Sequence, residues 1–472
     1  MILHNTGTAP RVSFGAGGRT VGLHWEGQAS DCGRVSLLHF HHIHESAQAI
    51  PSHPRDYGPG GVLHPTMARV GGADLAIRRS EGELDIDPTP TSPSKAASKW
   101  SSSEVGPASG GHNQDPEFLT PVHRVGLPGP SLSDHTAAQG PEGVWIPAVP
   151  EGFIVGEIRA IADDRNIASI PIPGYWIHKD NDLPLESPPS PGEKILYHFH
   201  GGGYVAETAH PDGTLSIIMK DFLRNSSSPS LRRTFAVEYR LSKPGEPGKR
   251  SLFPFPAALI DGLAGYLYLI KLGFSEEDII FVGDSAGGNL ALTLTRYLLV
   301  LNKEGQRGLS KVPAALVLLS PCTDIGEQFL DNPNPQSSLT INAERDWLQP
   351  INIGVRRTDA EAFVGGRPED IELAYRSPYI SPAGPLLLGL TPESSTRTIS
   401  FDGFPRTFID NGGFDLLYDQ IFQLGSAMVE ELGDEMVVYN EVEGVGHDYL
   451  TLEWCEPDRT DTSKKILKWL GL

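Results

Sequence analysis

Cysteine, basic charge and long hydrophobic runs are scarce in this 472-residue chain. Its three cysteines, Cys32, Cys322 and Cys455, are too few and too scattered for a disulfide framework or a CxxC metal site. Lysine and arginine total 38 against 59 aspartates and glutamates, so the net charge is −21. That charge disfavours binding to nucleic acid or to an anionic membrane surface.

Membrane and secretory signals are also missing from the sequence. No apolar run approaches the ~20 residues that span a bilayer. The first residues, MILHNTGTAPRVSFGAGG, lack the basic start and apolar core of a secretory signal peptide. We therefore expect a soluble cytoplasmic protein without a transmembrane segment.

Residues 1–140 have the composition of a low-complexity segment. Stretches such as 87–116 are rich in proline, serine and glycine and show neither helical nor strand periodicity. Such sequences bury too little apolar surface to offset the entropy of ordering, so the segment is predicted to be disordered. Its histidine cluster invites a metal interpretation, but no cysteine or carboxylate partners stand at ligand spacing, so a polar loop or sequence outside the mature folded protein is favoured. The cluster comprises His39, His41, His42 and His44.

Residues 141–472 alternate between short apolar runs and helical patterns. Strands are predicted at residues 193–200, 233–241, 278–285, 314–321, 406–413 and 435–444, and helices at 256–273, 286–305, 417–433 and 463–470. Alternation of this kind, with strands apolar on both faces, is typical of a mostly parallel sheet covered by helices on both sides. The fold class is α/β.

The strongest motif is GDSAGG at residues 283–288, between a predicted strand and a predicted helix. It fits the pattern G-x-S-x-G, in which the serine lies on a tight turn with its hydroxyl lifted off the sheet. Gly283 and Gly287 then relieve the close approach of helix and strand. Ser285 is predicted to be a nucleophile.

A serine nucleophile needs a base that is held by an acid. Only five histidines follow residue 140, and His447 alone lies after Ser285, directly behind the last predicted strand. His447 is therefore the predicted base. Asp415, in the turn after the strand at 406–413, is the favoured acid over Asp324, which follows the preceding strand.

The oxyanion of a tetrahedral intermediate needs fixed backbone N–H donors. Ala286 supplies one, because it follows the nucleophile and opens a helix. The HGGG sequence at residues 200–203 is the kind of loop that supplies the others. His198 and His200, beside the glycines, are interpreted as structural.

With these residues in place, residues 145–472 resemble the hormone-sensitive-lipase-like branch of the α/β-hydrolase superfamily, a group of carboxylic-ester hydrolases. HGGGY at 200–204, GDSAGGNLAL at 283–292 and SPYISPA at 377–383 carry the resemblance, and IPIPGYW at 170–176 resembles fungal members. The resemblance implies an α/β-hydrolase domain over 141–472, with a helical cap built from roughly 145–191 and 322–396. It also implies the nucleophile, base and acid already named, with no cofactor or metal. The implied oxyanion hole comprises Gly202, Gly203 and Ala286, with Gly201 shaping the loop.

Two positions depart from the family pattern. Cys322 stands where an aromatic residue is common, and Asp448-Tyr449 follow His447 in place of a Gly-Phe type of continuation. Large apolar residues of the implied cap either line the pocket or pack the cap against the sheet, and the sequence leaves both open. They include Trp176, Trp347 and Leu348.

The resulting hypothesis is a serine hydrolase that cleaves a small-molecule carboxylic ester through an acyl-enzyme. An arylformamidase, amidase or lactonase on the same triad remains an alternative, because fold and triad do not determine the substrate. A non-catalytic small-molecule receptor of the same fold is a second alternative, which His447 disfavours. A homodimer is compatible with the sequence.

Overall fold

The computed structural model describes residues 2–4, 11–13, 142–180, 183–184, 186–246, 248–303, 309, 311–329, 334–348, 353–384 and 399–472. Two three-residue strands near the start, β1 (Ile2–His4) and β2 (Arg11–Ser13), pair antiparallel. The other elements that the structure describes lie in residues 142–472. The disorder predicted for the first 140 residues falls almost wholly outside the described residues, and so does the histidine cluster.

An eight-stranded sheet forms the centre of the molecule. Its strands are β3 (Glu142–Ile146), β4 (Ile172–His178), β5 (Lys194–Phe199), β6 (Leu231–Val237), β7 (Ile279–Asp284), β8 (Ala315–Leu319), β9 (Thr407–Gly412) and β10 (Val437–Val442). They lie in the order β10-β9-β8-β7-β5-β6-β4-β3. Strands β5 to β10 are parallel to their neighbours within that group, whereas β4 and β3 pair antiparallel. The predicted mostly parallel α/β architecture is confirmed.

Helices cover both faces of this sheet. Four of them precede β8: α1 (Gly156–Arg165), α2 (Ser216–Asn225), α3 (Ala257–Leu272) and α4 (Ala286–Lys303). Strand β5 shows the two faces, because Ile195 and Tyr197 pack into one apolar cluster and Leu196 into another. Alternate side chains of a strand point to opposite faces, so a strand buried on both faces reads as a continuous apolar run.

Among the described residues, five further helices follow β8. They are α5 (Ser338–Ile341), α6 (Ile353–Val364), α7 (Pro368–Arg376), α8 (Tyr418–Leu432) and α9 (Asp458–Leu470). Helices α5 to α7 lie in a long excursion between β8 and β9, within the stretch 322–396 that the resemblance assigns to the cap. Helix α9 begins five residues before the predicted start at residue 463.

Residues 145–191, the first segment of the implied cap, belong in part to the central sheet. The resemblance implies cap over residues 145–191, yet they contain the end of β3 and all of β4, two strands of the central sheet. Trp176 lies in β4, fully buried, with its ring 4.7 Å from that of Phe235 and 4.7 Å from the Arg233 guanidinium. It packs within the sheet. These two strands pair antiparallel and carry no βαβ signal, which is why the pattern misses them.

A buried ion pair attaches the excursion to the rest of the domain. Arg165, the last residue of α1, donates to Asp370 of α7 at 2.6 Å and to the Phe255 carbonyl at 2.7 Å. Both charged side chains are about 95% buried or more. Removing one partner of such a pair is strongly destabilising, because the other charge stays buried alone.

No helix among the described residues is both long and apolar enough to cross a lipid bilayer.

Candidate active site

Ser285 lies on a strained turn between β7 and α4. Its φ of 49° is in the left-handed region, which non-glycine residues rarely adopt. A Cβ at Gly287 would come within 1.9 Å of the Phe199 carbonyl oxygen, and one at Gly283 within 2.2 Å of the Gly287 carbonyl oxygen. Only glycine fits at these two positions, so the motif allows the helix to start hard against the strand. The turn presents the serine side chain at the carboxyl edge of the sheet.

Three predicted residues from distant parts of the chain meet at that edge. The Ser285 Oγ lies 2.9 Å from His447 Nε2, and His447 Nδ1 lies 3.1 and 3.2 Å from the two carboxylate oxygens of Asp415. Asp415 follows β9 and His447 follows β10, and carboxyl ends of parallel strands share one edge. Both side chains are buried. The distances form a continuous hydrogen-bonded chain from carboxylate to hydroxyl.

The competing aspartates lie in other surroundings. Asp324 accepts the Glu327 amide in a turn at 3.2 Å, and burial raises its pKa to about 6. Asp410 accepts from the Asn440 side chain at 2.5 Å within the sheet. Asp419 accepts the Ser338 amide at 2.8 Å. Of these acids, Asp415 is the one whose carboxylate accepts from His447.

The glycine loop after β5 divides into two parts. Gly201 donates its amide to the Asp284 carboxylate at 2.9 Å, so its N–H is already used and does not face a ligand. Gly201 therefore shapes the loop and is not a donor of an oxyanion hole. Gly202 and Gly203 adopt φ of 97° and 61°. No described residue accepts a hydrogen bond from the amides of Gly202, Gly203 or Ala286.

The histidines around this loop hold its backbone. His198 Nε2 lies 2.8 Å from the second carboxylate oxygen of Asp284. His200 stacks on Tyr239, with ring centroids 4.1 Å apart and planes 9° from parallel, and its Nδ1–H donates to the Gly201 carbonyl at 2.8 Å. Burial lowers the pKa of His200 to about 4, so this imidazole is neutral. Asp284, next to the serine, thus links the serine turn to the glycine loop.

A family model described as "alpha/beta hydrolase fold" matches residues 196–451, more than half of the chain. The chain belongs to the α/β-hydrolase fold family. The matched region contains the glycine loop, the serine turn and both downstream loops of the site.

Curated and solved relatives of this α/β-hydrolase include esterases and lipases. Esterase LipU of Mycobacterium tuberculosis is 28% identical over 241 residues, 51% of this chain and 65% of LipU. Human hormone-sensitive lipase is 32% identical over 147 residues, 29% of this chain and 12% of the lipase. A solved structure titled "Crystal Structure Hormone-Sensitive Lipase from a Metagenome Library" is 24% identical, with a TM-score of 0.45 over 64% of this chain and 82% of that chain. The chain spans less than two thirds of the length of each of these two curated relatives.

The imidazole of this hydrolase sits among carboxylates. Burial works to lower the pKa of His447, but the nearby charges of Asp448, Asp415 and Asp346 outweigh it and raise that pKa to about 10. The carboxylate of Asp448 also lies 3.3 Å from Nε2, on the same side of the ring as the serine. The ring therefore holds a proton more firmly than a free histidine does.

Asp346 is a residue of the site that the sequence does not indicate. It is fully buried, and its oxygens accept the amides of Leu416 at 2.6 Å, Leu348 at 3.1 Å and His447 at 3.2 Å. Its neighbour Trp347 donates from Nε1 to the His447 carbonyl at 2.5 Å. No motif marks a lone aspartate in a helical excursion, so only the folded chain reveals this contact.

Asn289, one turn into α4, is a second residue that sequence reasoning missed. Its side-chain NH₂ donates to the carbonyls of Cys322 and Ile380, both at 2.8 Å, and its oxygen accepts from Tyr204 at 2.8 Å. These bonds attach the serine helix to the excursion and to the glycine loop. Among the described residues, no cluster of histidine, cysteine or acidic side chains has the arrangement of a metal site.

Proposed function

We propose that this α/β-hydrolase cleaves carboxylic esters with Ser285 as nucleophile, His447 as base and Asp415 as the acid that orients the imidazole. The observation that carries the proposal is the chain of hydrogen bonds from Ser285 Oγ through the imidazole to Asp415, at 2.9 and 3.1 Å. That geometry, on a strained strand–helix turn, is what an activated serine requires.

Acylation begins when neutral His447 accepts the serine proton at Nε2 while Oγ attacks the ester carbonyl. Asp415 accepts the hydrogen bond from Nδ1–H, which fixes the tautomer and stabilises the imidazolium as it forms. The imidazolium then protonates the alkoxide of the leaving alcohol, and an acyl-serine remains. Water repeats the sequence on the acyl carbonyl and restores the free hydroxyl.

The oxyanion of each tetrahedral intermediate is assigned to the amides of Gly202, Gly203 and Ala286. The support is that none of the three donates to a described residue, whereas the amide of Gly201 does. Donors held in place before the reaction need no reorganisation, and losing one in other enzymes costs about 3–4 kcal/mol of the barrier.

The helical excursion between β8 and β9 is proposed to act as the cap of the substrate pocket. Asp346 and Trp347 bind it to the backbone of His447, and Asn289 binds it to the serine helix. Leu348, beside them, packs against the main apolar cluster. The excursion is therefore attached at the edge of the sheet where the ester would enter.

The test is hydrolysis of a short-chain p-nitrophenyl ester by the wild type and by S285A. We expect wild-type turnover above background and loss of at least about 1,000-fold in the variant, since the residual rate comes from binding and oxyanion contacts alone. A fluorophosphonate should add its mass to the Ser285 peptide of the wild type.

S426A is the matched control, because Ser426 is an exposed serine on α8 whose hydroxyl donates to the Phe422 carbonyl. It should keep both turnover and labelling. Full turnover by a folded S285A variant would exclude the proposed nucleophile. A wild type that neither hydrolyses the ester nor takes the label would exclude the hydrolase proposal and favour a binding role.

A further inference from the structure

Asp448 occupies a strained position directly beside the imidazole. Its φ is 48°, in the left-handed region, and its amide donates to Ser320 Oγ at 3.1 Å. The side chain is about 94% buried, with one carboxylate oxygen 3.3 Å from His447 Nε2. The other oxygen is buried and accepts no hydrogen bond from a described residue. A buried carboxylate thus has one close polar partner among the described residues, the reacting nitrogen.

Two oxygens therefore compete for one nitrogen. His447 Nε2 has the Ser285 hydroxyl at 2.9 Å and the Asp448 carboxylate at 3.3 Å. The opposite ring nitrogen is engaged by Asp415, so Nε2 is the position that must accept the serine proton. A nitrogen that carries a proton cannot accept another, and a carboxylic acid donating to it would fill its lone pair just as well.

The charges facing this pair are mostly negative. Asp415 approaches from the loop after β9, Asp346 from the excursion, and Asp284 from the end of β7, and all of them act on the carboxyl of Asp448. Burial raises the pKa of Asp448 first, and these carboxylates add to that effect while His447 opposes it. These neighbours favour binding of a proton between Nε2 and the carboxyl.

We propose that Asp448 is a positioning residue that sets the pH threshold of the reaction by sharing a proton with His447 Nε2 and withholding that nitrogen from Ser285 until the proton is lost to solvent. The proton leaves to water and no other bond changes. Above the threshold the imidazole is neutral and its lone pair accepts the serine hydroxyl. The inference rests on the proposed function, because it concerns the same base.

The experiment measures kcat/KM for a p-nitrophenyl ester from pH 5 to 10, with the rate of S285A subtracted as background. We expect the acid limb of the wild type to lie on the alkaline side of the ordinary histidine range. In D448N and D448G that limb should move down by about 1–3 pH units, the usual effect of removing one close opposite charge. Asparagine and glycine both tolerate the left-handed backbone.

D434N is the matched control, since Asp434 is an exposed aspartate before β10, at the strand end opposite His447. Its acid limb should coincide with that of the wild type. A limb that stays within about 0.3 units of wild type in both Asp448 variants would overturn the inference while leaving the ester hydrolase intact.

A second readout separates the inference from the activity. NMR titration of the His447 ring, in S285A with ¹³C-labelled histidine and assigned by comparison with H447Q, reports the imidazole pKa directly. D448N in that background should lower this pKa by at least about one unit. An unchanged imidazole pKa in a protein that still hydrolyses the ester would overturn the inference alone, whereas an absence of hydrolysis at any pH would refute the proposed function together with the inference that rests on it.

Discussion

At the scale of single residues, Asp346 joins three segments that are far apart in the chain. Its carboxylate accepts hydrogen bonds from the amides of His447, Leu416 and Leu348. Burial raises the pKa of Asp346 to about 6, and the charge of Asp415 adds to that shift. Carboxylates near metal sites orient the ligating groups in a similar way, by hydrogen bonding to them without touching the metal. The residue therefore places the imidazole without touching the serine.

D346N is expected to lower kcat/KM by about 10–100-fold, because its amide group cannot accept every N–H that the carboxylate accepts and the His447 loop shifts. Ester hydrolysis and thermal unfolding measure the two effects. D419N is the matched control, since Asp419 also accepts an amide of the excursion, that of Ser338, but does not contact His447. It should lose some stability and keep its kcat/KM. Equal activity of D346N and wild type would contradict the positioning role.

At the scale of elements, the site depends on how closely α4 and β5 approach. The glycines of the serine turn permit this approach, as the contact of Gly287 with the Phe199 carbonyl shows. Gly262, inside α3, has ordinary space around it, because a Cβ added there would lie 3.5–3.7 Å from the nearest side-chain atoms. The same residue type is thus obligatory in one helix and replaceable in another.

G287A is expected to lose about 3 kcal/mol of stability or more, because the methyl group overlaps backbone that cannot move alone. G262A should be neutral or gain about 0.5–1 kcal/mol, since alanine favours the helix interior over glycine. Urea unfolding of the two variants measures the difference. A G287A protein as stable as G262A would show that the helix does not start against the strand.

At the scale of the whole molecule, buried carboxyl groups and the negative net charge both lower the stability of the fold as the pH rises. Burial raises the pKa to about 6 or 7 for a set of acids, Asp324, Asp346, Asp359, Asp410 and Glu238. A carboxyl group whose pKa is higher in the folded protein than its value of about 4 in the unfolded chain contributes most to stability at low pH. That contribution is lost as the pH rises through the folded pKa. The pKa of His447 is raised to about 10, so its contribution to stability is likewise lost as the pH rises above 6.5. The net charge of −21 adds self-repulsion.

The free energy of unfolding is therefore expected to fall by a few kcal/mol between pH 6 and pH 8. His200, whose pKa is lowered to about 4, opposes the trend only below pH 6.5. D410N should reduce the fall by about 1.4 kcal/mol, the worth of one pH unit for one group. Urea titrations at the two pH values measure this, with exposed D434N as control. Stability that rises with pH in this interval would contradict the prediction.

Much of the fold was predictable because local patterns determine it. The runs that became β5, β7 and β8 are apolar on both faces, and the helices α3 and α4 follow strands with clear start signals, so the parallel half of the sheet could be predicted. The antiparallel strands β3 and β4 could not, since their pairing partners are determined only in the folded sheet. The cap assignment of 145–191 was wrong there for this reason.

Sequence alone marked Ser285 as a candidate nucleophile by its glycine neighbours, and His447 as a candidate base because it is the one histidine that follows Ser285. It also proposed Asp415 from the order of elements, and it marked Asp448 only as a departure from a pattern. Tertiary structure decided the rest. In the folded chain the Gly201 amide donates to Asp284, Asp346 accepts the amide of His447, and the Asp448 carboxylate lies beside His447 Nε2. Distances between groups on separate loops depend on the order in which the strands pair in the sheet, and the periodicity of one segment does not contain that information.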